Sequence, residues 1–179
     1  MKTAIRIGAD INLPEIEMER DGFCRTIIRE LSGLLEQMVG LDEAEGFISV
    51  VGQNIGNMIN DDYRKALKVD RLSKEQIGHV LVDLKSRING DFYITEQDES
   101  KIVFGNTRCP FEEKVINRES LCMMTSNVFG TIASANNGYA KVVLEETIAR
   151  GCSGCRVVVY LANTEESAIA DGREYYRDE

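Results

Sequence analysis

The spacing of apolar residues changes near Asn89-Gly90, and this change limits the folds open to the chain. Before this point apolar residues recur every three or four positions, which is the period of a helix with one buried face. After it, short apolar runs alternate with turn residues, which is typical of strands. We therefore expect an α+β fold, with N-terminal helices followed by an antiparallel β-meander and one helix packed across it.

Three helices are predicted in the first part of the chain, residues 1–90. The first covers Glu15–Met38, the second begins at Asp42, and the third begins with a capping box of Ser73 and Gln76 and ends at Asn89-Gly90. The residues expected on the buried faces are Ile27, Ile28, Leu31, Leu34, Leu35 and Met38 in the first helix, Phe47, Val50, Val51, Ile55 and Met58 in the second, and Ile77, Val80, Leu81, Leu84 and Ile88 in the third.

Two glycines, Gly52 and Gly56, lie four residues apart in the second helix. Each weakens a helix by about 1 kcal/mol relative to alanine, so a neighbour is expected to approach closely at this stripe. We expect that neighbour to be the first helix, and a ligand is the alternative. The apolar faces of these helices also suit packing in a homodimer and coupling to a signalling protein.

The second part, residues 91–163, is expected to hold the sheet and its helix. Asp91–Gln97 and Lys101–Gly105 read as a hairpin, and a fourth helix is predicted at about Glu119–Ala135. Two longer strands, Tyr139–Ala149 and Arg156–Leu161, follow it. Residues 164–179 are expected to form a charged, mobile tail. The size of the chain, 179 residues, favours treating all three parts as one domain.

The net charge of the chain limits the kinds of partner that it is expected to bind. A formal net charge of −9 and the lack of clustered Lys and Arg argue against nucleic-acid binding. The first residues contain no apolar run long enough for a signal peptide or a membrane span, so we expect a cytoplasmic protein without a membrane partner. In that reducing compartment the five cysteines are not expected to form structural disulfides.

Four of the cysteines fall in the second half, at Cys109, Cys122, Cys152 and Cys155, with the spacing C-x12-C-x29-C-x2-C. Thiolates suit zinc, which accepts four sulfur ligands tetrahedrally, and an iron–sulfur cluster is the alternative cofactor. Redox-responsive thiols and inert core cysteines are two further interpretations of the same residues. Cys24, on the first helix, is expected to be inert.

One carboxylate stands out among the predicted strands. Strict alternation along Tyr139–Ala149 places Glu146 on the same face as Val142 and Leu144. A buried carboxylate needs a cation, a metal or a proton, which makes Glu146 a candidate ligand. A bulge that turns it outward is the competing interpretation.

Known catalytic signatures are missing from the sequence. It contains no Gly-rich phosphate loop, no nucleophile elbow and no HExxH motif, and we assign no role to its one histidine, His79. An enzyme with a reactive Cys109 or Cys122, acting on a small cofactor-like ligand, stays open as an alternative.

Four segments of the second half carry a recognisable pattern: NTRCPF at 106–111, LCMMTSNVFG at 121–130, NGYAKVVLEETIARG at 137–151 and CRVVVYL at 155–161. Together they resemble the small-molecule-binding domains of the 4-vinyl reductase superfamily, and within it the methanogen-type output domain attached to signalling proteins. The resemblance implies a ligand-sensing or redox-sensing module, usually dimeric, built from helices and an antiparallel sheet around a pocket.

The resemblance also implies a structural zinc site. Relatives hold zinc through a cysteine at a helix start, a glutamate in a strand, a cysteine just after it, and the cysteine that opens the last strand. Cys122 and Cys155 match the first and last positions. The glutamate position falls at Leu144 or Glu145, and Thr147 stands where the third ligand would be.

Because two of the four positions do not match, the ligand set must differ from that of the relatives. Cys109 looks like a replacement, since the output-domain type also carries a cysteine there. The candidate metal ligands, in order, are Cys122 and Cys155, then Cys109, then Cys152 and either Glu145 or Glu146. We therefore predict a non-catalytic sensor domain in which this cysteine cluster binds a metal, most simply zinc, and which responds to a small ligand or to redox state.

Overall fold

The computed structural model describes residues 14–16 and 18–177 of the chain. The prediction that the N-terminal segment contains neither a signal peptide nor a membrane span falls largely on residues outside this range. The elements are α1 (Arg20–Val39), α2 (Leu41–Leu67), α3 (Lys74–Arg87), β1 (Tyr93–Gln97), β2 (Lys101–Asn106), α4 (Cys122–Asn137), β3 (Tyr139–Glu146), β4 (Cys155–Tyr160), α5 (Glu165–Ile169) and β5 (Arg173–Tyr176). None of the described helices is both long and apolar enough to cross a membrane.

The strands form one antiparallel sheet with the order β1-β2-β4-β3-β5. The predicted α+β class, with helices first and one helix packed on a later antiparallel sheet, is confirmed. The strand order differs from the sequential order of a meander. Because α4 carries the chain across the sheet after β2, β3 forms one place away, and β4 then fills the gap between β2 and β3.

Helix α4 packs on the sheet and is buried on nearly all sides. Its Phe129 ring lies 5.2 Å from the ring of Phe104 on β2 and 5.6 Å from that of Phe92, measured between centroids. Ile132 and Ala133, on the same helix, are fully buried in this core. The third helix packs beside it, and its predicted capping box of Ser73 and Gln76 is confirmed.

Most of the residues predicted for the inner faces of α1 and α2 are exposed; the exceptions are Leu35, which is half-buried, and Ile55, which packs against the core. The side chains of Leu34, Met38 and Phe47 are 52%, 73% and 57% exposed. The buried positions of these helices are mainly small or polar: Ser32, Gly33, Ala44, Ile48, Ser49, Gly52, Gly56 and Asn60. A row of large apolar residues on each helix therefore faces outward: Phe23, Ile27, Ile28, Leu31, Leu34, Met38, Phe47, Val50, Val51 and Met58.

The glycine stripe of α2 contacts α4 and not α1. A Cβ atom added at Gly52 would lie 2.8 Å from the Cβ of Asn127, and one at Gly56 would lie 2.9 Å from the Cβ of Thr131. Glycine at both positions lets the two helices approach closely enough for these side chains to reach the α2 backbone. The prediction of close packing is thus right in kind, but its partner is the fourth helix.

The segment expected to be a mobile tail contains α5 and β5. Strand β5 pairs with β3, with Tyr176 opposite Tyr139 and Arg173 opposite Val142. The Tyr175 side chain covers Gly130 of α4, and its hydroxyl lies 2.8 Å from the Ser126 hydroxyl. The prediction missed this strand because the segment is rich in charged residues, although two of its tyrosines pack against the sheet and α4.

Candidate functional site

Three cysteines from distant parts of the sequence line one pocket between α4 and the sheet. Cys109 lies in the loop after β2, Cys122 is the first residue of α4, and Cys155 is the first residue of β4. The other walls are largely apolar and include residues of further segments: Phe92, Phe111, Val115, Leu121, Leu144, Ile148 and Val157. The free volume is about 30 Å³, which is room for one water-sized guest.

Polar side chains fix the loop that carries Cys109. The Asn106 side chain accepts a hydrogen bond from the Cys155 amide at 2.9 Å and donates one to the Arg108 carbonyl at 3.1 Å. Asp91 accepts hydrogen bonds from the Thr107 amide and hydroxyl and from the Arg108 amide. These bonds hold Cys109 over the start of β4, close to Cys155.

The pocket disfavours thiolates. Burial, together with the nearby Cys155 and Cys109, raises the pKa of Cys122 to about 12. Burial also raises the pKa of Cys109, although the amides of Phe111 and Glu112 and the Lys85 ammonium act in the opposite direction. The pKa of Cys155 is raised by burial, against a hydrogen bond of 3.4 Å from the Ile148 amide to its sulfur. Without a further positive charge the three thiols therefore stay protonated near neutral pH.

A buried lysine lies beside the three thiols. Lys85 of α3 is 4% exposed, and its Nζ donates a hydrogen bond of 2.8 Å to the hydroxyl of Thr125, which lines the pocket. The Nζ also lies 5.0 Å from the centre of the Phe92 ring and 5.2 Å from that of Phe129. These rings and the hydroxyl hold the ammonium next to Phe92 and Thr125, two residues that line the pocket.

The acidic neighbours of Lys85 are the cysteines. Burial lowers the pKa of Lys85 to about 8, whereas the thiolate forms of Cys109, Cys155 and Cys122 act to raise it. Within the described part of the chain no carboxylate forms a hydrogen bond or an ion pair with its ammonium. Sequence reasoning missed Lys85, although it lies four residues after Leu81 and eight after Ile77, within the apolar stripe of α3.

The remaining predicted site residues lie outside the pocket. Cys152 is half-buried in the turn before β4 and does not line the cavity. A register shift between Leu144 and Glu146 interrupts the alternation of β3, so Leu144 lines the pocket, while Glu145 and Glu146 are exposed. Glu145 pairs with Arg156 at 2.5 Å. The bulge thus turns Glu146 outward, as the competing interpretation expected. The expected position of Glu146 on the buried face is wrong.

As the side chains are placed in residues 14–16 and 18–177, no three His, Cys, Asp or Glu residues form a group that could hold a metal ion. The glutamate position implied by the resemblance therefore does not fit, because Glu145 and Glu146 face solvent, and Thr147 supplies a hydroxyl in place of a thiol. Thiolates are donors that soft ions prefer, and zinc at the cysteines stays a prediction.

Comparisons with solved structures support the fold. The chain is similar to the phenol-responsive sensory domain of the transcription activator PoxR in complex with phenol, with a TM-score of 0.63 and 15% identity over 86% of this chain and 80% of that one. It is also similar to subunit 3 of the trafficking protein particle complex from Naegleria fowleri, covalently bound to palmitic acid, with a TM-score of 0.56 and 10% identity over 88% of this chain and 98% of that one. At such identities the likeness concerns the fold alone.

A search of the curated proteins found no match. The sequence profile described as methanogen output domain 1 matches residues 27–160, which is well over half of the chain and includes Lys85, the three pocket cysteines and the whole of α4. The chain belongs to the methanogen output domain 1 family.

Proposed function

We propose that this domain is a signalling sensor and that it detects its signal in the cysteine pocket. The observation that carries the proposal is the convergence of Cys109, Cys122 and Cys155, from three different elements, on one small buried cavity beside Lys85. An inert core gains nothing from a buried ammonium, since apolar residues of similar volume are often at least as stable there. Membership of an output-domain family, and a shared fold with a phenol-responsive sensory domain, support a sensory role. The wider link to the 4-vinyl reductase superfamily is part of the same proposal.

The packing of α4 offers a route by which the pocket acts on the rest of the protein. Cys122 begins α4, so a change at its sulfur acts on the first turn of this helix. Further along, α4 fits against the glycines of α2, where an added methyl group would collide with Asn127 or Thr131. Tightly packed helices move together, and the other face of α2 carries the exposed apolar row. A partner seated on that row would therefore respond to the occupancy of the pocket.

The size of the pocket favours an ion over an organic guest. Pockets for small organic ligands usually measure several hundred Å³, whereas this cavity has about 30 Å³ of free volume. Backbone N–H groups directed at the sulfurs of Cys155 and Cys109 also resemble the outer hydrogen bonds of metal–thiolate centres. Zinc is the first candidate, and an iron–sulfur cluster or metal-free redox chemistry of the thiols are the alternatives.

A metal would be held by Cys109, Cys122 and Cys155, whose sulfurs would have to move closer together than they lie now. When bound, such a soft ion supplies the positive charge that stabilises thiolates and leaves a coordination position for an external ligand. A reactive-thiol enzyme is less well supported, because the raised pKa values of these thiols make them poor nucleophiles at neutral pH.

The test is elemental analysis and visible spectroscopy of protein purified without oxygen, combined with cysteine variants. We expect about one metal ion per chain in the wild type, at most a small fraction of that in Cys122→Ser and Cys155→Ser, and wild-type content in Cys152→Ser, since Cys152 lies outside the pocket. Iron with visible colour would point to a cluster.

The sensor proposal fails on a different result. If metal, mild oxidants and thiol reagents all leave the melting temperature and the association state of the protein unchanged, the pocket does not read a signal. Metal-free protein whose melting temperature responds to oxidation, and whose Cys122→Ser variant no longer responds, would instead identify a thiol redox sensor.

A further inference from the structure

A groove runs along one side of α4, between α2 and the edge strand β5, and has a free volume of about 600 Å³. We call it the β5 groove. Its floor is a stripe of α4 that includes Asn127, Thr131 and Ser134, and its walls are β5 and the part of α2 from Gly46 to Arg64. At 1.5 Å per residue, this part of α2 is about 27 Å long. A groove of this length and volume is narrow, so it suits an extended chain better than a compact molecule.

The backbone of β5 presents its outer edge at this groove. Within the described residues β5 pairs with β3 and with no other strand. The Arg177 amide donates a hydrogen bond to the Gly138 carbonyl, so in this antiparallel pair the backbone groups of the odd-numbered residues of β5 face β3. Those of Glu174 and Tyr176 therefore point away from the sheet, and both residues line the groove. An added strand would find its donors and acceptors there.

The opposite edge of the sheet is less suited to an added strand. Strand β1 is interrupted by a register shift between Ile94 and Glu96, and such irregularities turn an edge away from further pairing. In contrast, the four residues of β5 pair with β3 in one unbroken register. β5 is thus the regular edge of this sheet.

The floor and the α2 wall contain buried polar side chains with unused hydrogen-bonding groups. Asn60 and Asn127 are each 4% exposed, and Thr131 is 7% exposed. The Asn60 oxygen accepts a hydrogen bond from Asn136, and the Asn127 nitrogen donates one to the Ser49 hydroxyl. In the part of the chain that the structure describes, no protein atom bonds to the Asn60 nitrogen, the Asn127 oxygen or the Thr131 hydroxyl. Because buried polar groups need partners, these atoms favour a polar occupant.

The charged side chains of the groove favour an acidic occupant. Four arginines line it: Arg64, Arg71, Arg173 and Arg177. Among the carboxylates that line it, Glu174 is turned away, because its neighbour Tyr175 faces α4 and Glu174 bonds instead to the hydroxyls of Tyr139 and Tyr176. Asp61 and Asp70 remain, so four guanidinium groups face two carboxylates in a chain whose formal net charge is −9.

Arg64 has unused capacity to bind an anion. Its Nε atom is buried and has no hydrogen-bond partner among residues 14–16 and 18–177. Its Nη1 atom lies 3.7 Å from the Asp61 carboxylate, which is too far for a hydrogen bond. A carboxylate on an occupant would complement this guanidinium, since the two groups form paired, charge-assisted hydrogen bonds.

We propose that the β5 groove binds an extended, acidic peptide of a partner protein as an added strand of the sheet. The peptide backbone pairs with the outer edge of β5. Because successive side chains of a strand point to opposite faces, every second side chain enters the groove, where Asp or Glu meets the arginines. The partner therefore carries a short segment with an acidic residue at every second position. This surface is separate from the cysteine pocket and does not depend on its chemistry.

The first test measures binding of the fluorescein-labelled peptide TEVETEVE to the full chain by fluorescence anisotropy. We expect saturable binding, because its four glutamates lie on one face of an extended strand. Two comparison peptides should bind about tenfold more weakly or worse, since charged hydrogen bonds are lost. One has lysine in place of each glutamate, and the other has the same composition with its four glutamates in a row. Equal binding of TEVETEVE and the peptide with consecutive glutamates would overturn the inference.

Backbone pairing is tested with N-methylated forms of TEVETEVE, which leave the protein unchanged. In an added strand the N–H groups of alternate residues face β5, and the others face solvent. Methylation of one alternate set should therefore abolish binding, and methylation of the other set should leave most of it. If both sets have the same effect, the peptide does not bind as a strand and the inference fails.

The groove is tested with a pair of charge-neutralising substitutions on α2. We expect Arg64→Gln to weaken binding of TEVETEVE about tenfold. Lys65→Gln removes the same charge from the next residue, which is exposed and lies outside the groove, and should bind the peptide like the wild type. Urea midpoints show whether both variants are folded. Equal losses in two folded variants would mean unspecific charge attraction and would contradict a site at this groove.

A small anion is the other occupant that the arginines could accept. Citrate and pyrophosphate are therefore added as competitors of the peptide. Failure of both to displace TEVETEVE at equal ionic strength supports the peptide, whereas displacement by either at micromolar concentration would make the groove a small-anion site and overturn the inference. Loss of the inference leaves the sensor proposal standing, because that proposal is judged by how melting temperature and association respond to metal, oxidants and thiol reagents.

Discussion

At the residue scale, the side chain of Asn136 joins three parts of the protein. Its amide nitrogen donates hydrogen bonds to the Asn60 side chain at 2.7 Å and to the Ile132 carbonyl at 2.8 Å. Its oxygen accepts a hydrogen bond of 2.8 Å from the Leu72 amide. One side chain on α4 thereby connects α2 with the segment that precedes α3.

We expect Asn136→Ala to lower the free energy of unfolding by about 2–3 kcal/mol, because it leaves the buried Leu72 amide and the Asn60 side chain unsatisfied. Urea unfolding measures the change. Asn54→Ala, at an exposed position on α2, is the control and should stay within about 0.5 kcal/mol of the wild type. Similar small effects of both substitutions would contradict this role.

Asp91 anchors the loop that carries Cys109, and its effect should depend on pH. Burial acts to raise its pKa, but hydrogen bonds from Thr107 and Arg108 outweigh this and lower the pKa below the ordinary value of 3.8. A carboxylate with a lowered pKa contributes stability above the ordinary pKa and loses it as the pH falls through the lowered value.

We therefore expect Asp91→Asn to be less stable than the wild type at pH 7 and the difference to shrink in acid, as the pH falls below the ordinary pKa of 3.8. Denaturant midpoints at neutral and acidic pH provide the measurement. Asp62→Asn, at an exposed position of α2, should show no such convergence. A stability difference that stays constant with pH would exclude a charge effect at Asp91.

The sequence predicted the candidate site in part. Three of the four cysteines singled out by their clustering and by the family resemblance do meet in one pocket. Glu146 was assigned to the buried face by strict alternation, and the bulge after Leu144 breaks that alternation. Lys85 was missed because a lysine in an apolar stripe usually extends its ammonium to solvent, and only the packing around it shows that this one does not.

At the scale of elements, the close contact of α2 with α4 should make Gly56 intolerant of a side chain. Alanine gains about 1 kcal/mol of helix propensity over glycine, but a methyl group here meets Thr131. We expect Gly56→Ala to cost about 1–3 kcal/mol of stability through overpacking. Gly46→Ala, in the same helix with nothing within 4 Å of the added Cβ, should instead stabilise the protein. Thermal unfolding of both variants measures the two changes in stability. If α2 and α4 are loosely packed, Gly56→Ala should be no less stable than Gly46→Ala.

Most helices and strands could be predicted from the sequence, whereas the elements against which they pack could not. The capping box of Ser73 and the turn at Asn89-Gly90 are local signals, so α3 was found close to its true bounds. An amphipathic pattern shows that a helix has an apolar face but not what covers it, so the faces of α1 and α2 were assigned inward. Strand β5 was missed because four residues, Arg173–Tyr176, are too few for a clear period.

At the scale of the whole molecule, the outward apolar rows of α1 and α2 make self-association the expected state. Patches of this kind on soluble proteins usually mark interaction surfaces, and two copies of the same helices can cover each other symmetrically. We expect sedimentation velocity to show a dimer and the double substitution Leu34→Glu with Phe47→Glu to give a monomer that stays folded.

The control for association is Ile169→Glu on α5, an apolar residue that is 87% exposed and lies outside α1 and α2. It should leave the dimer intact. A wild type that stays monomeric at high micromolar concentration would contradict the prediction, and it would leave the exposed rows to a different protein partner.

The position of β4 between β2 and β3 has a consequence for biosynthesis. The chain emerges from the ribosome N-terminus first, so β2 and β3 are both made before the strand that joins them. Until Tyr160 has emerged, the edges of these two strands lack their native partner and are open to wrong pairing. A nascent chain that ends before Cys155 also lacks one wall of the pocket. The pocket is therefore completed only when β4 has been made, and chains that end before Cys155 carry Cys109 and Cys122 without their third cysteine.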